Sequence, residues 1–150
     1  MNALFEQAFA LEPLYLHVYS EMARYLLPRW YGEDGEWERF AEEMARRVGG
    51  HQGSVIYGHV ALEMGLVYGA DQFFAQNHVA WPRLKQAFVD RESEYGPSVR
   101  TLNAFCLLAA SARDRATARE IFVRLGDAWD PDVWSERRYF DSYRKWALGN

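Results

Sequence analysis

His59 and Glu63 stand four residues apart in a stretch of helical character, a spacing that puts an imidazole and a carboxylate on one helix face. Such a pair can hold two positions on a metal ion, but a closed zinc site needs four ligands and a catalytic one three plus water. No Glu in the chain has a His three places on, as di-iron bundles require, and His-Glu-x-x-His is absent. A small metal-assisted hydrolase built on His59, Glu63 and His17 is therefore the alternative reading. The expected role of His59 is a buried, hydrogen-bonded side chain, and no metal, cofactor or catalytic residue is assigned. Cys106 sits among Phe105, Leu107 and Leu108 with no Lys or Arg adjoining it to lower its pKa, so it reads as a small buried hydrophobe. Gly49-Gly50-His51-Gln52-Gly53 lacks the Lys that follows a phosphate-binding loop and reads as a turn between helices. His51 and His78 fall in expected loops without partners. Trp30 beside Arg29 and Trp129 beside Asp130 suggest a box for a cationic ligand. Core packing at hairpin turns is the expected role of both.

The composition narrows the classes further. The chain has 150 residues, 49% of them apolar, with six Trp, nine Tyr and nine Phe. One domain of this size buries on the order of two thirds of the surface its unfolded form exposes. The 17 basic and 21 acidic residues leave a net charge of −4 and are interspersed, so no Lys/Arg stripe offers itself to nucleic acid. No stretch approaches the roughly 18 uncharged apolar residues of a membrane span. Glu6 stands where a signal peptide carries basic residues, and the single Cys fits a reducing compartment. The expectation is a soluble cytoplasmic protein.

Helical periodicity dominates the chain. Residues 2–10 predict a short helix before Pro13. In Leu14 to Leu27 an apolar stripe of Tyr15, Val18, Tyr19, Met22 and Leu26 faces away from His17, Ser20, Glu21 and Arg24. Glu36 to Val48 carries Trp37, Phe40, Ala41, Met44, Ala45 and Val48 at helical spacing. Ser54 to Tyr68 is apolar nearly all round, which predicts a central, covered helix. Gly69 to Ala80 reads as a long loop with a turn of helix near Gln72 to Ala75. Trp81 to Tyr95 resumes the pattern, with Pro82 tolerated in the first turn. Ser98 to Ala112 and Asp114 to Leu125 form the clearest hairpin, with Asp114 as N-cap and Gly126 at C′. One last helix is expected to start at Asp130-Pro131 and to carry Val133, Trp134, Phe140, Tyr143, Trp146 and Ala147.

First helices thus open near Leu14, Ser54 and Ser98 and second helices near Glu36, Trp81 and Asp114, within the roughly 33–47-residue periods of helical repeats. Tyr25-Leu-Leu-Pro-Arg-Trp-Tyr-Gly with Trp37-Glu-Arg-Phe-Ala downstream, and Leu102-Asn-Ala-Phe running to Ala118-Arg-Glu-Ile-Phe, resemble the tetratricopeptide-type hairpins of the bacterial domain-of-unknown-function family numbered 4034. Ala109 and Ala118 match the small residues such repeats place where two helices touch. The resemblance covers about Leu11 to Ala147 and departs at Gly69 to Ala80. It implies an all-α array of about three antiparallel helical hairpins with a C-terminal capping helix, in one domain over residues 1–150, with a fragment of a longer repeat protein as the alternative. It further implies that first helices line a groove for a protein or peptide partner. Arg100, Asn103, Leu107 and Ala110 would face that groove, and His17, Glu21 and Arg24 would extend it. A toxin-neutralising, immunity-type protein is a second binding alternative, compatible with the acidic charge.

Overall fold

The computed structural model describes residues 2–149, and among them every regular element is helical. In chain order these are α1 (Asn2–Leu11), α2 (Leu16–Tyr25), α3 (Glu36–Val48), α4 (Gly50–Tyr68), α5 (Ala70–Gln76), α6 (Trp81–Tyr95), α7 (Val99–Ser111), α8 (Arg115–Leu125), α9 (Pro131–Trp134) and α10 (Arg137–Leu148). No helix among the described residues is long and apolar enough to cross a membrane.

The residue pattern of each helix decides its place. Helix α3 is sharply two-faced: Trp37, Ala41, Met44 and Ala45 are buried while its glutamates and arginines largely face outward. Helix α4 is buried along most of its length and packs against α2, α3, α5, α6 and α7, making it the central element that its apolar composition predicts. Two glycines permit these approaches. A Cβ on Gly53 would collide with the Ala45 carbonyl of α3, and one on Gly58 would come within 2.7 Å of the Ala87 Cβ of α6. Helices α7 and α8 pair, α10 covers α8, and α9 lies against α7. The core runs through the molecule as one cluster, from Phe5 and Tyr19 at one end to Phe122, Trp134 and Phe140 at the other.

Three boundaries differ from expectation. The glycine run is not a turn. Only Gly49 stands outside a helix, and α4 begins at Gly50, so His51 is helical and lies 3.6 Å from Asp90 and 3.7 Å from Glu94. The supposed loop between Gly69 and Ala80 contains α5, whose buried Phe73 stacks on Trp37 with ring centroids 6.2 Å apart. Asn77 then fastens this segment to α3 by accepting a hydrogen bond from Trp37 Nε1 at 3.1 Å while donating to the Phe73 carbonyl. The terminal helix is two helices, because Ser135 adopts a left-handed backbone (φ 62°) and Glu136 is extended, turning the chain between α9 and α10.

The hairpin of α7 and α8 matches its sequence signals closely. Ser98 caps α7 by accepting from Thr101 N. Asp114 caps α8, accepting from the Thr117 backbone at 3.0 Å and the Thr117 hydroxyl at 2.7 Å, and it also takes Trp81 Nε1 at 3.0 Å and Lys85 Nζ at 3.1 Å. Burial alone would raise its carboxyl, but these four donors hold it well below the usual carboxylate range. One side chain thus caps a helix and ties it to α6.

Candidate functional site

Of the seven residues expected to face a partner, five divide between two ends of one surface, while Asn103 and Ala110 are buried in the core. On α2, His17, Glu21 and Arg24 are exposed. Arg24 reaches across to Glu63 of α4 at 3.1 Å and lies 3.9 Å from Glu21. Beyond them the chain leaves α2 through a loop in which Tyr25 and Tyr31 stack at 4.6 Å, and Trp30 and Tyr31 are 64% and 73% exposed. Glu21, Arg24, Tyr25, Arg29, Trp30 and Tyr31 together line a hollow of about 370 Å³. The expectation that Trp30 packs in the core is thereby corrected, whereas Trp129 does pack against the core. The backbone of this loop folds back on the end of α2 and the residues after it, with Trp30 N–H donating to Leu27 O and Tyr31 N–H to Tyr25 O, and the Trp30 and Tyr31 rings face outward.

At the other end, Leu107 of α7 is half-buried in a hollow of about 330 Å³ shared with Leu66 of α4, Trp134 of α9 and Tyr139 and Tyr143 of α10. Glu63 and Leu66 are three apart on α4 and so lie on one side of it, which joins the two ends. Arg100 is exposed at the start of α7 and approaches Asp132 at 3.7 Å.

Asn103 is not on this surface, and its expected role is corrected. It is 0% exposed; its amide donates to the Val99 carbonyl at 2.8 Å and the Ala128 carbonyl at 2.9 Å, and its oxygen accepts from Trp134 Nε1 at 2.8 Å. Every strong hydrogen-bonding group of the side chain is used inside the core. A polar residue set among apolar neighbours on a helix marks either a site or a satisfied core amide, and only the packing of α9 distinguishes them.

The residues of the hydrolase reading do come together. His59 lies between α2 and α6, close enough to Glu63, Arg91 and His17 for each to bear on its charge; burial pushes its imidazole down to about 4, so the ring is neutral near pH 7. Its Nε2 is buried without a hydrogen-bond partner, as is Nε of Arg91. Glu63, however, is engaged by Arg24, and among the described residues no three His, Cys, Asp or Glu side chains are grouped so as to hold a metal ion. Cys106 is buried with its thiol pointing at the Ala118 carbonyl, and burial raises its pKa far above the ordinary thiol value. It is placed as packing.

A further groove, of about 890 Å³, is formed by α3, the start of α4, and α6, with His78 at its edge. Its charged lining is Asp34, Glu38, Glu42 and Glu43 with Arg39, Arg46 and Arg83. Arg83 pairs with Glu42 and lies over the Tyr57 ring at 4.1 Å, Arg46 pairs with Glu43, and Arg39 donates to the Asp34 carbonyl at 3.4 Å. Burial pushes the Tyr57 phenol up to about 12 against the pull of Arg83. Glu38 is the residue that sequence reasoning passed over, although a signal was present: Glu38, Ala41 and Ala45 recur at i, i+3 and i+7, on the edge of the buried stripe.

Compared with known proteins, the chain matches no family model, no curated protein and no solved structure.

Proposed function

We propose that the chain is a protein- or peptide-binding helical-repeat module of the cytoplasm, with α2/α3, α4/α6 and α7/α8 as three tetratricopeptide-like hairpins and α10 as the cap. The observation that carries this reading is the exposed Trp30 and Tyr31 beside Arg24 and Arg29 at the end of α2. Trp, Tyr and Arg are the residues most enriched among those that dominate binding energy at interfaces, and the Tyr31 ring, already stacked on Tyr25, binds at little cost in ordering. The face continues from this loop through Arg24 and Glu63 to Leu66 and Leu107, as an extended partner lying across the first helices α2, α4 and α7 requires. Of the expected contact residues, His17, Glu21, Arg24, Arg100 and Leu107 remain in the proposal. The consecutive packing of α2, α4 and α7 supports the repeat arrangement, and a single free buried thiol supports the compartment.

The test is comparative capture. Wild-type protein and a Trp30→Ala variant, immobilised at equal density, are exposed to the same lysate and the retained proteins identified. A partner retained by wild type should bind the variant more weakly by roughly 1–3 kcal/mol. Identical retention by both proteins would remove the aromatic loop from the interface.

A further inference from the structure

The groove between α3 and α6 holds an unbalanced charge. Glu38 is only 9% exposed, and one carboxylate oxygen accepts a single, long hydrogen bond, 3.4 Å from the His78 backbone N–H. The other oxygen, Oε2, is buried with no partner at all. A buried carboxylate without donors is costly, on the order of several kcal/mol, and within the groove the neighbouring cations are already committed: Arg83 to Glu42, Arg46 to Glu43, and Arg39 to the Asp34 carbonyl. Among the described residues no Arg or Lys of the groove donates to Glu38.

We propose that this groove is a binding site for a primary alkylammonium group, with Glu38 as its anion. The choice of cation follows from the geometry of the acceptor. Oε2 is the one oxygen without a donor, and an ammonium is a compact charge that a single oxygen satisfies, whereas the two-bond fork of a guanidinium gains most where both oxygens lack donors. Glu38 lines the groove and the terminal torsion of a glutamate is soft, so turning the carboxylate brings an oxygen to the bound ammonium. Gly35, Ala45, Gly49, Gly50 and Ser54 line the groove and leave width for an alkyl stem, and Glu42 and Asp34 at the same groove can take further ammonium protons. The ligand chemistry is the same whether the ammonium belongs to a free aliphatic diamine or to a lysine side chain of a peptide. The site is distinct from the α2, α4 and α7 face and does not depend on it.

Titration calorimetry of the full chain tests this with three probes: 1,5-diaminopentane, the capped tripeptide acetyl-Gly-Lys-Gly-amide, and its Arg counterpart. Saturable one-site binding is expected for the diamine or the Lys peptide, and the tighter of the two identifies the source. The Arg peptide should bind more weakly. Glu38→Gln should weaken binding by about ten-fold or more, the loss expected for a hydrogen bond to a charged group, while Trp30→Ala should leave it unchanged. Far-ultraviolet circular dichroism checks that the Gln variant is folded. If it is not, Ser54→Phe, which fills the groove from α4 and spares the carboxylate, must abolish binding. Absence of saturable binding by both amines, undiminished binding by folded Glu38→Gln or by Ser54→Phe, or equal binding of the Arg peptide would each overturn the proposal.

Discussion

The indole N–H of Trp134 donates to the side-chain oxygen of Asn103 at 2.8 Å, joining α9 to α7 across 31 residues of sequence. Because Asn103 also donates to the Ala128 carbonyl, this one amide holds both the loop after α8 and the short helix α9 in place. Asn103→Leu keeps the volume close to constant but strands the Trp134 N–H in the core and releases the Ala128 carbonyl of the loop. It should lower stability by roughly 1–3 kcal/mol, the cost of one buried unpaired polar group. Urea denaturation of the two proteins measures the difference, and an unchanged midpoint would mean that these groups find other partners.

The C-terminal helices close the core. Val133, Trp134, Phe140 and Ala147 are buried, and Phe122 of α8 meets Trp134 and Phe140 with ring centroids 5.9 and 5.3 Å away. Ending the chain after Asp130 removes all four and uncovers α8. Counting about 1.5–3 kcal/mol for each large apolar side chain, the truncated protein should lose about 5 kcal/mol or more. Its denaturation midpoint should fall accordingly; a midpoint equal to that of the full chain would make α9 and α10 a detachable tail.

His59 gives the fold a dependence on acidity. In the unfolded chain an imidazole titrates near its ordinary value of 6.5, while in the fold burial holds His59 at about 4. Below pH 6.5 the unfolded state therefore binds the proton first, so stability falls as pH is lowered from 6.5 towards 4 and is unaffected above that window. The full effect is on the order of 3 kcal/mol. Replacement by Gln removes the titrating group, so the difference in stability between wild type and His59→Gln should change with pH across that window. A constant difference from pH 7 to pH 4 would show that His59 is not held neutral.

Much of this architecture was legible in the chain. The 3.6-residue spacing of apolar positions located α3, α6, α7 and α8 to within a residue or two, because each is amphipathic and bounded by Gly, Pro or a capping side chain: Gly35 and Gly49 around α3, Gly96 after α6, Ser98 and Asp114 before α7 and α8. The near-uniform apolarity of α4 marked it as central. These signals are local, and local physics sets them: a helix of this kind has one face to bury wherever it ends up.

What the sequence could not carry was the outcome of contacts between distant residues. Helix α5 has too short a pattern to declare itself and is held by Phe73 against Trp37 and by Asn77 on the Trp37 indole, 40 residues away. Asn103 looked like a contact residue because its partner, Trp134, comes from another helix. Trp30 looked like core because aromatic residues at hairpin turns are usually buried, yet its ring faces outward. Glu38 sat unremarked among the charges of α3 until the chain after α5 closed over one of its oxygens and left the other without a donor. A residue's type and spacing determine which face of its helix it occupies; whether that face meets water, a neighbour or an empty groove is decided only when the other helices have taken their places.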